Sequence, residues 1–155
     1  DFGCVKRFTR EQARYKMTIG VPCVRGDALG TWQACVDNGM LCASDPVTPE
    51  EALDYWRGYM DLLWVESTSA FTPELAAAWI ERNFSPRGPS ANFLRYSTMA
   101  PAYTLLGRIE LGTVALVAQL HAWIDWQSIG AEYVLGTPPV TRMGELDYAF
   151  FADVG

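Results

Sequence analysis

The chain has 155 residues, which is the length of one domain with a sizeable hydrophobic core. Its net charge of −6 argues against non-specific binding to nucleic acid, because such binding needs a basic surface. Charged residues make up only 19% of the chain, below the roughly 25% typical of soluble domains, and aromatic residues reach 13%. This composition indicates extensive apolar contact surface, in a core, at a partner interface or against lipid.

Three helix starts are marked by capping residues in the first part of the chain. Thr9 and Gln12 have the spacing of a capping box. The stretches 48–51 and 72–74 each combine a capping Thr, a Pro at the first helical position and acids that favour the helix dipole. We therefore predict that residues 1–100 form a helical extramembrane region with a Cys-rich loop segment near its N-terminal end.

The helix that starts at Thr48 carries one apolar stripe. Ala52, Trp56, Tyr59 and Met60 recur at helical spacing, while charged residues fall on the other side. Core packing is the first interpretation of the aromatic stripe between Trp56 and Trp64. An apolar ligand pocket is the alternative.

Four cysteines lie in the first 42 residues. They are Cys4, Cys23, Cys35 and Cys42, with no CxxC pair, and the chain has a single histidine. This pattern argues against a zinc site. An even number of cysteines in the least helical segment fits one or two disulfides in an oxidising compartment, and three pairings are open.

The longest apolar run begins after Pro101 and includes the only histidine. We predict one long helix over residues 101–127. From Tyr103 to Trp126 it would rise about 35 Å, which is the scale of a bilayer. The Gly- and Pro-containing residues 128–155 are predicted to form an irregular acidic tail. The predicted fold is thus mainly α, with three to four short helices plus one long apolar helix that is a candidate membrane span.

Two interpretations of this long helix remain open. Tyr103, Trp123 and Trp126 resemble interfacial aromatic belts, and Arg108 closes a run of arginines on the N-terminal side, as expected for anchors of a membrane helix. Against a membrane span, Glu110 lies within the helix at a cost of a few kcal/mol. In a protein core, Glu110 would need an arginine such as Arg108 as partner, and the single histidine would be a buried residue with a satisfied hydrogen bond.

Part of this run resembles a known family. The residues that carry the resemblance are Pro101-Ala102-Tyr103, Leu105-Leu106 and Ile109-Glu110-Leu111-Gly112. They look like the start of the first membrane helix of photosystem I reaction-centre subunit XI, and they are similar to Glu-containing helices of light-harvesting chlorophyll proteins. In subunit XI the Glu is a chlorophyll ligand, so the resemblance implies that Glu110 holds a pigment.

The resemblance is confined to residues 101–112, and the chain departs from both patterns. Subunit XI has a histidine where this chain has Ala115, and the light-harvesting pattern has an arginine where this chain has Thr113. His121 is, by residue type alone, a candidate second ligand for the magnesium of a pigment.

An enzyme is a further alternative. His121 and Asp125 are four residues apart and would share a face of the predicted helix, where they could form an acid–base pair. No GxSxG, P-loop or GxGxxG motif accompanies them.

Three function hypotheses follow from these observations. The first is a non-catalytic accessory subunit of a multi-subunit membrane complex of the photosystem type, located at the thylakoid, that bridges neighbouring subunits, contacts lipid and holds chlorophyll or another pigment. The second is a secreted or lumenal, disulfide-stabilised α-helical domain that binds an apolar ligand or a protein partner. The third is a small acid–base enzyme that uses His121 and Asp125.

Overall fold

The computed structural model describes residues 7–61, 70–99, 103–123 and 125–154, and 69% of these residues are helical. The fold is mainly α, as predicted, but eight helices occur in these ranges instead of three to four short helices plus one long one, and no strand occurs there. The helices are α1 (Arg10–Val24), α2 (Ala28–Asp37), α3 (Pro49–Met60), α4 (Pro73–Phe84), α5 (Ala91–Tyr96), α6 (Thr104–Gln119), α7 (Trp126–Leu135) and α8 (Arg142–Val154).

The capping residues recognised in the sequence begin α1, α3 and α4. Thr9 and Gln12 form the predicted capping box of α1. Thr48 and Glu51 form another at α3, where the Glu51 amide donates to the Thr48 hydroxyl over 3.1 Å. Thr72 accepts from the backbone of α4 in the same way. These three helix starts are therefore confirmed, because local side-chain chemistry alone determines them.

The segment predicted as a Cys-rich loop is largely helical. α1 continues to Val24, and the chain reverses at Gly26, whose φ of +74° suits a residue without a Cβ. The Asp27 carboxylate then caps α2 by accepting from the Gly30 amide over 2.9 Å. The segment predicted as a loop therefore contains the end of α1 and the whole of α2.

Two apolar clusters hold the helices together. The first lies between α1, α2 and α3, with Phe93 of α5 packed against Tyr55 of α3. The second joins α4 to α6 and contains Trp79 and Ala118. Tyr59 of α3 packs against both clusters and therefore connects them. The apolar stripe predicted on α3 is confirmed for its described members, which face the core.

The prediction of one long helix over residues 101–127 is wrong. α6 ends at Gln119, and His121 adopts a left-handed φ of +48° before α7 begins at Trp126. The 16 residues of α6 rise about 24 Å, less than the roughly 30 Å of bilayer hydrocarbon. Within the described ranges no helix combines the length and apolarity needed to cross a membrane. The membrane-spanning helix in the predicted fold is thereby contradicted.

The tail after residue 127 is also more regular than predicted. Asp125 caps α7, and Gly136 ends it in the left-handed conformation, with a φ of +70°. α8 follows, with Gly144 inside it. The sequence suggested an irregular segment because Gly and Pro are frequent there, yet two of the glycines lie within helices and a third forms a helix end.

Candidate functional site

An apolar cavity of about 380 Å³ lies between α3 and α6. α3 contributes Tyr55, Trp56 and Tyr59, and α6 contributes Gly107 and Glu110. This volume is at the small end of the roughly 300–1,000 Å³ typical of ligand pockets, which are mostly apolar with a few polar groups. The cavity therefore has the size and lining of a site for a small molecule.

The aromatic wall on α3 is held in place from behind. The Trp56 indole N–H donates to the Cys35 thiol over 3.1 Å, and Trp56 is only 4% exposed. Tyr55 stacks on Phe93 with ring centroids 4.1 Å apart and an interplanar angle of 15°. Both rings have buried partners, so this face of α3 is ordered before a ligand binds. Binding would therefore not include the entropy cost of ordering these side chains.

Glu110 brings a carboxylate to this apolar surface. Its side chain is half-buried, and the Tyr59 hydroxyl donates a hydrogen bond to its Oε2 atom. Removing a carboxylate from water is costly unless hydrogen bonds replace its hydration, and the Tyr59 hydroxyl supplies one. The bond joins α3 to α6 across the cavity.

The phenol of Tyr55 stays protonated at neutral pH. Burial, with smaller contributions from the nearby Cys35 and Glu110, raises the pKa of Tyr55 to about 12. A neutral phenol keeps the inner wall of the cavity uncharged.

The outer edge of the cavity is formed by residues around the start of α6. Tyr103 lines the cavity and stacks on Phe8, with ring centroids 5.9 Å apart. The side chain of Arg108 is exposed at the same edge. Among the described residues, a Cβ added to Gly107 would meet Met99, at 3.7 Å, so the glycine leaves space beside the α6 backbone there.

His121 does not share this site. It follows the C-terminal cap of α6, about 16 Å along the helix from Glu110, and its side chain is exposed. The described residues that line the cavity do not include it. Glu110 and His121, the two predicted pigment ligands, are therefore in different parts of the molecule.

The predicted acid–base pair loses its structural basis as well. Asp125 accepts hydrogen bonds from the Ser128 hydroxyl at 2.7 Å and the Ser128 amide at 3.0 Å, as the N-cap of α7. These bonds lower the pKa of Asp125, the hydroxyl more than the amide. The pairing assumed one continuous helix face, but α6 ends before His121 and α7 begins after Asp125. The Asp125 carboxylate instead stabilises a helix start.

The four predicted membrane anchors have different positions. Tyr103 and Arg108 line the cavity, as described above. Trp126 is half-buried and packs on Phe71 with ring centroids 5.8 Å apart. Trp123 is 72% exposed. Two of the aromatic residues predicted as a belt thus pack inside the fold.

The described cysteines are free thiols. Cys23 and Cys35 are buried and Cys42 is exposed. The disulfides predicted among these three are therefore not formed, and Cys4 lies outside the described residues. In the described part of the chain, no three His, Cys, Asp or Glu residues are grouped so that they could hold a metal ion.

The cavity joins residues that were predicted for different roles. Glu110 was predicted as a pigment ligand, and Tyr103 and Arg108 as membrane anchors, and all three line the cavity. Tyr59 belongs to the stripe predicted to pack in the core, with a ligand pocket as the alternative. Its contact with Glu110 spans 51 residues in the sequence, and helical spacing carries no signal for such a pairing.

Comparisons of the chain with protein-family models, with curated proteins and with solved structures found no match. The similarity of residues 101–112 to chlorophyll-binding helices therefore stays a prediction. The geometry of the cavity is the remaining basis for inferring function.

Proposed function

We propose that this chain is a non-catalytic binding subunit that holds an apolar ligand in the cavity between α3 and α6. The observation that carries the proposal is the combination of a preformed aromatic wall with a half-buried carboxylate at Glu110. Apolar walls stabilise the body of a ligand, and a single polar group fixes its orientation. This hypothesis develops the ligand-pocket interpretation of the α3 stripe.

A pigment is one ligand of this class. The magnesium of a chlorophyll accepts oxygen ligands, and Glu110 offers a half-buried carboxylate beside an apolar surface. The residue type therefore fits a magnesium ligand, but a cavity of about 380 Å³ would enclose only part of a chlorophyll, and the exposed His121 lies outside the cavity. An absorption spectrum and a magnesium determination on protein purified without added ligand test this case.

The test of the cavity itself is a substitution that fills it. Gly107→Leu places a side chain beside Met99, where the cavity lies, whereas at Gly112 no atom of the described residues lies within 4 Å of an added Cβ. Both substitutions replace a glycine of α6, so their effects on helix propensity should match. We expect Gly107→Leu to weaken binding of a neutral apolar fluorophore, N-phenyl-1-naphthylamine, by at least about tenfold, with Gly112→Leu near wild type.

Equal binding by the two variants would show that the fluorophore binds elsewhere and would contradict the proposal. Circular dichroism of both variants controls for the fold. The titration is followed by fluorescence at fixed protein concentration.

A second candidate function is docking to neighbouring subunits, which is the setting predicted for an accessory subunit. α8 exposes several large apolar side chains, namely Met143, Leu146, Tyr148, Phe150 and Phe151. Met143, Leu146 and Phe150 recur at helical spacing, and large exposed apolar surfaces on a helix are typical of interaction sites. Removal of residues 142–154 should then release co-purifying subunits while fluorophore binding stays unchanged; retention of those subunits would exclude α8 as the interface.

A further inference from the structure

We infer that the cavity between α3 and α6 selects ligands that join an apolar body to a positively charged amine. This inference rests on the proposed ligand-binding function and adds the chemical class of the ligand. It derives from the placement of three aromatic rings and one carboxylate around the same space.

The rings of Tyr55, Trp56 and Tyr59 form a compact group. Their centroids are 5.7 Å apart for Tyr55 and Trp56, 6.1 Å for Tyr55 and Tyr59, and 5.4 Å for Trp56 and Tyr59. The face of an aromatic ring attracts a cation placed within about 6 Å of its centroid, and tryptophan is the strongest of the three types. A ligand ammonium in this cavity would lie within reach of more than one ring.

Glu110 adds a negative charge at the same place. Among the described lining residues it is the one carboxylate, and the Tyr59 hydroxyl holds it in position. An amine that reaches Glu110 would form a charge-assisted hydrogen bond in a partly dehydrated setting, where such bonds are stronger than in water. The net charge of −6 also favours the approach of cations over anions.

The positive charge of Arg108 would repel a ligand amine. It lines the cavity, but its side chain is exposed, so water and salt screen its charge more than that of the half-buried Glu110. An anionic ligand held by Arg108 is the competing outcome, and the experiment below separates the two.

Three probes of nearly equal size test the inference: 3-phenylpropylamine, 3-phenylpropan-1-ol and 3-phenylpropanoate. Each is titrated into the full chain near neutral pH by calorimetry. We expect the amine to bind about tenfold more tightly than the alcohol and the acid to bind most weakly. Glu110→Gln should weaken amine binding more than alcohol binding, so that the ratio of amine to alcohol affinity falls.

The control for overall charge is Glu81→Gln, which removes the same charge from an exposed position on α4. It should preserve the preference for the amine. Arg108→Gln should leave amine affinity unchanged or increase it.

Each remaining outcome is decisive. If the alcohol binds as tightly as the amine in the wild-type chain, the inference fails while the proposed function stands. If the acid binds most tightly and Arg108→Gln weakens it, the ligand class is anionic and the inference also fails. If no probe binds, and Gly107→Leu binds the neutral fluorophore as tightly as wild type does, both the inference and the proposed function fail.

Discussion

Cys23 and Cys35 lie in the core between α1, α2 and α3, where each has a different environment from Cys42. Burial raises the pKa of Cys23 to about 11 and that of Cys35 to about 12. A thiol reacts through its thiolate, so the raised pKa lowers the reactivity of Cys23 and Cys35. Their burial lowers it further, because a reagent has limited access to them. Cys42 is exposed.

We therefore expect iodoacetamide at about pH 8 to label Cys42 rapidly and to leave Cys23 and Cys35 unlabelled in the folded protein. Less than about one in a hundred of the buried thiols would be ionised at that pH. Peptide mass mapping assigns the label to each position, and labelling in denaturant provides the control in which all thiols react. Rapid labelling of Cys35 in the native state would contradict its burial under Trp56.

At the scale of helices, the sequence predicted those elements whose ends are marked by strong local signals. The Thr48 and Thr72 starts are examples, because capping depends on a few neighbouring residues. The break between α6 and α7 was missed although Asp125 and Gly136 are ordinary cap residues. The apolar run across it has no Pro or Gly at the break, and His121 adopts a left-handed conformation that side-chain type does not predict.

The cap of α7 allows a prediction about pH. Hydrogen bonds from Ser128 lower the pKa of Asp125 in the folded state, so the ionised carboxylate contributes stability above its unfolded pKa. That contribution is lost as the pH falls through the lower folded pKa. In a carboxyl NMR titration, Asp125 should titrate below the value of an ordinary aspartate, and Ser128→Ala should shift its pKa upward.

The conservative control is Ser128→Thr, which keeps a hydroxyl at this position, so the upward shift of the Asp125 pKa should appear only in Ser128→Ala. An unchanged Asp125 pKa in the variant would show that the hydroxyl does not stabilise the carboxylate. The titration needs no assumption about ligand binding.

At the scale of the whole molecule, the assembly of the two apolar clusters could not be derived from the sequence. The stripe predicted on α3 included Ala52, Trp56 and Met60, which are buried, but it missed Leu53 and Tyr55, which are buried as well. Which helix packs against that stripe depends on contacts between distant residues, such as Tyr59 with Glu110 and Trp79 with the Tyr59 carbonyl. The cavity arises from this packing, so only part of its lining was predictable.

The Tyr59–Glu110 hydrogen bond should contribute to the attachment of α6 to α3. Tyr59→Phe keeps the ring that packs against both clusters and removes the hydroxyl, leaving a half-buried carboxylate without that donor. We expect the free energy of unfolding to fall by about 1–2 kcal/mol, within the range for hydrogen bonds to charged groups. Urea denaturation measures it, and Tyr148→Phe on the exposed face of α8 should change it by less than about 0.5 kcal/mol.

A double-mutant cycle with Glu110→Leu isolates the pair, because leucine cannot accept from the Tyr59 hydroxyl. If the hydroxyl acts through the carboxylate, the combined loss in Tyr59→Phe/Glu110→Leu should be smaller than the sum of the single losses, by about 1 kcal/mol. Strict additivity would mean that the two side chains stabilise the fold independently. In that case the hydroxyl of Tyr59 would contribute nothing through Glu110 to the attachment of α6 to α3.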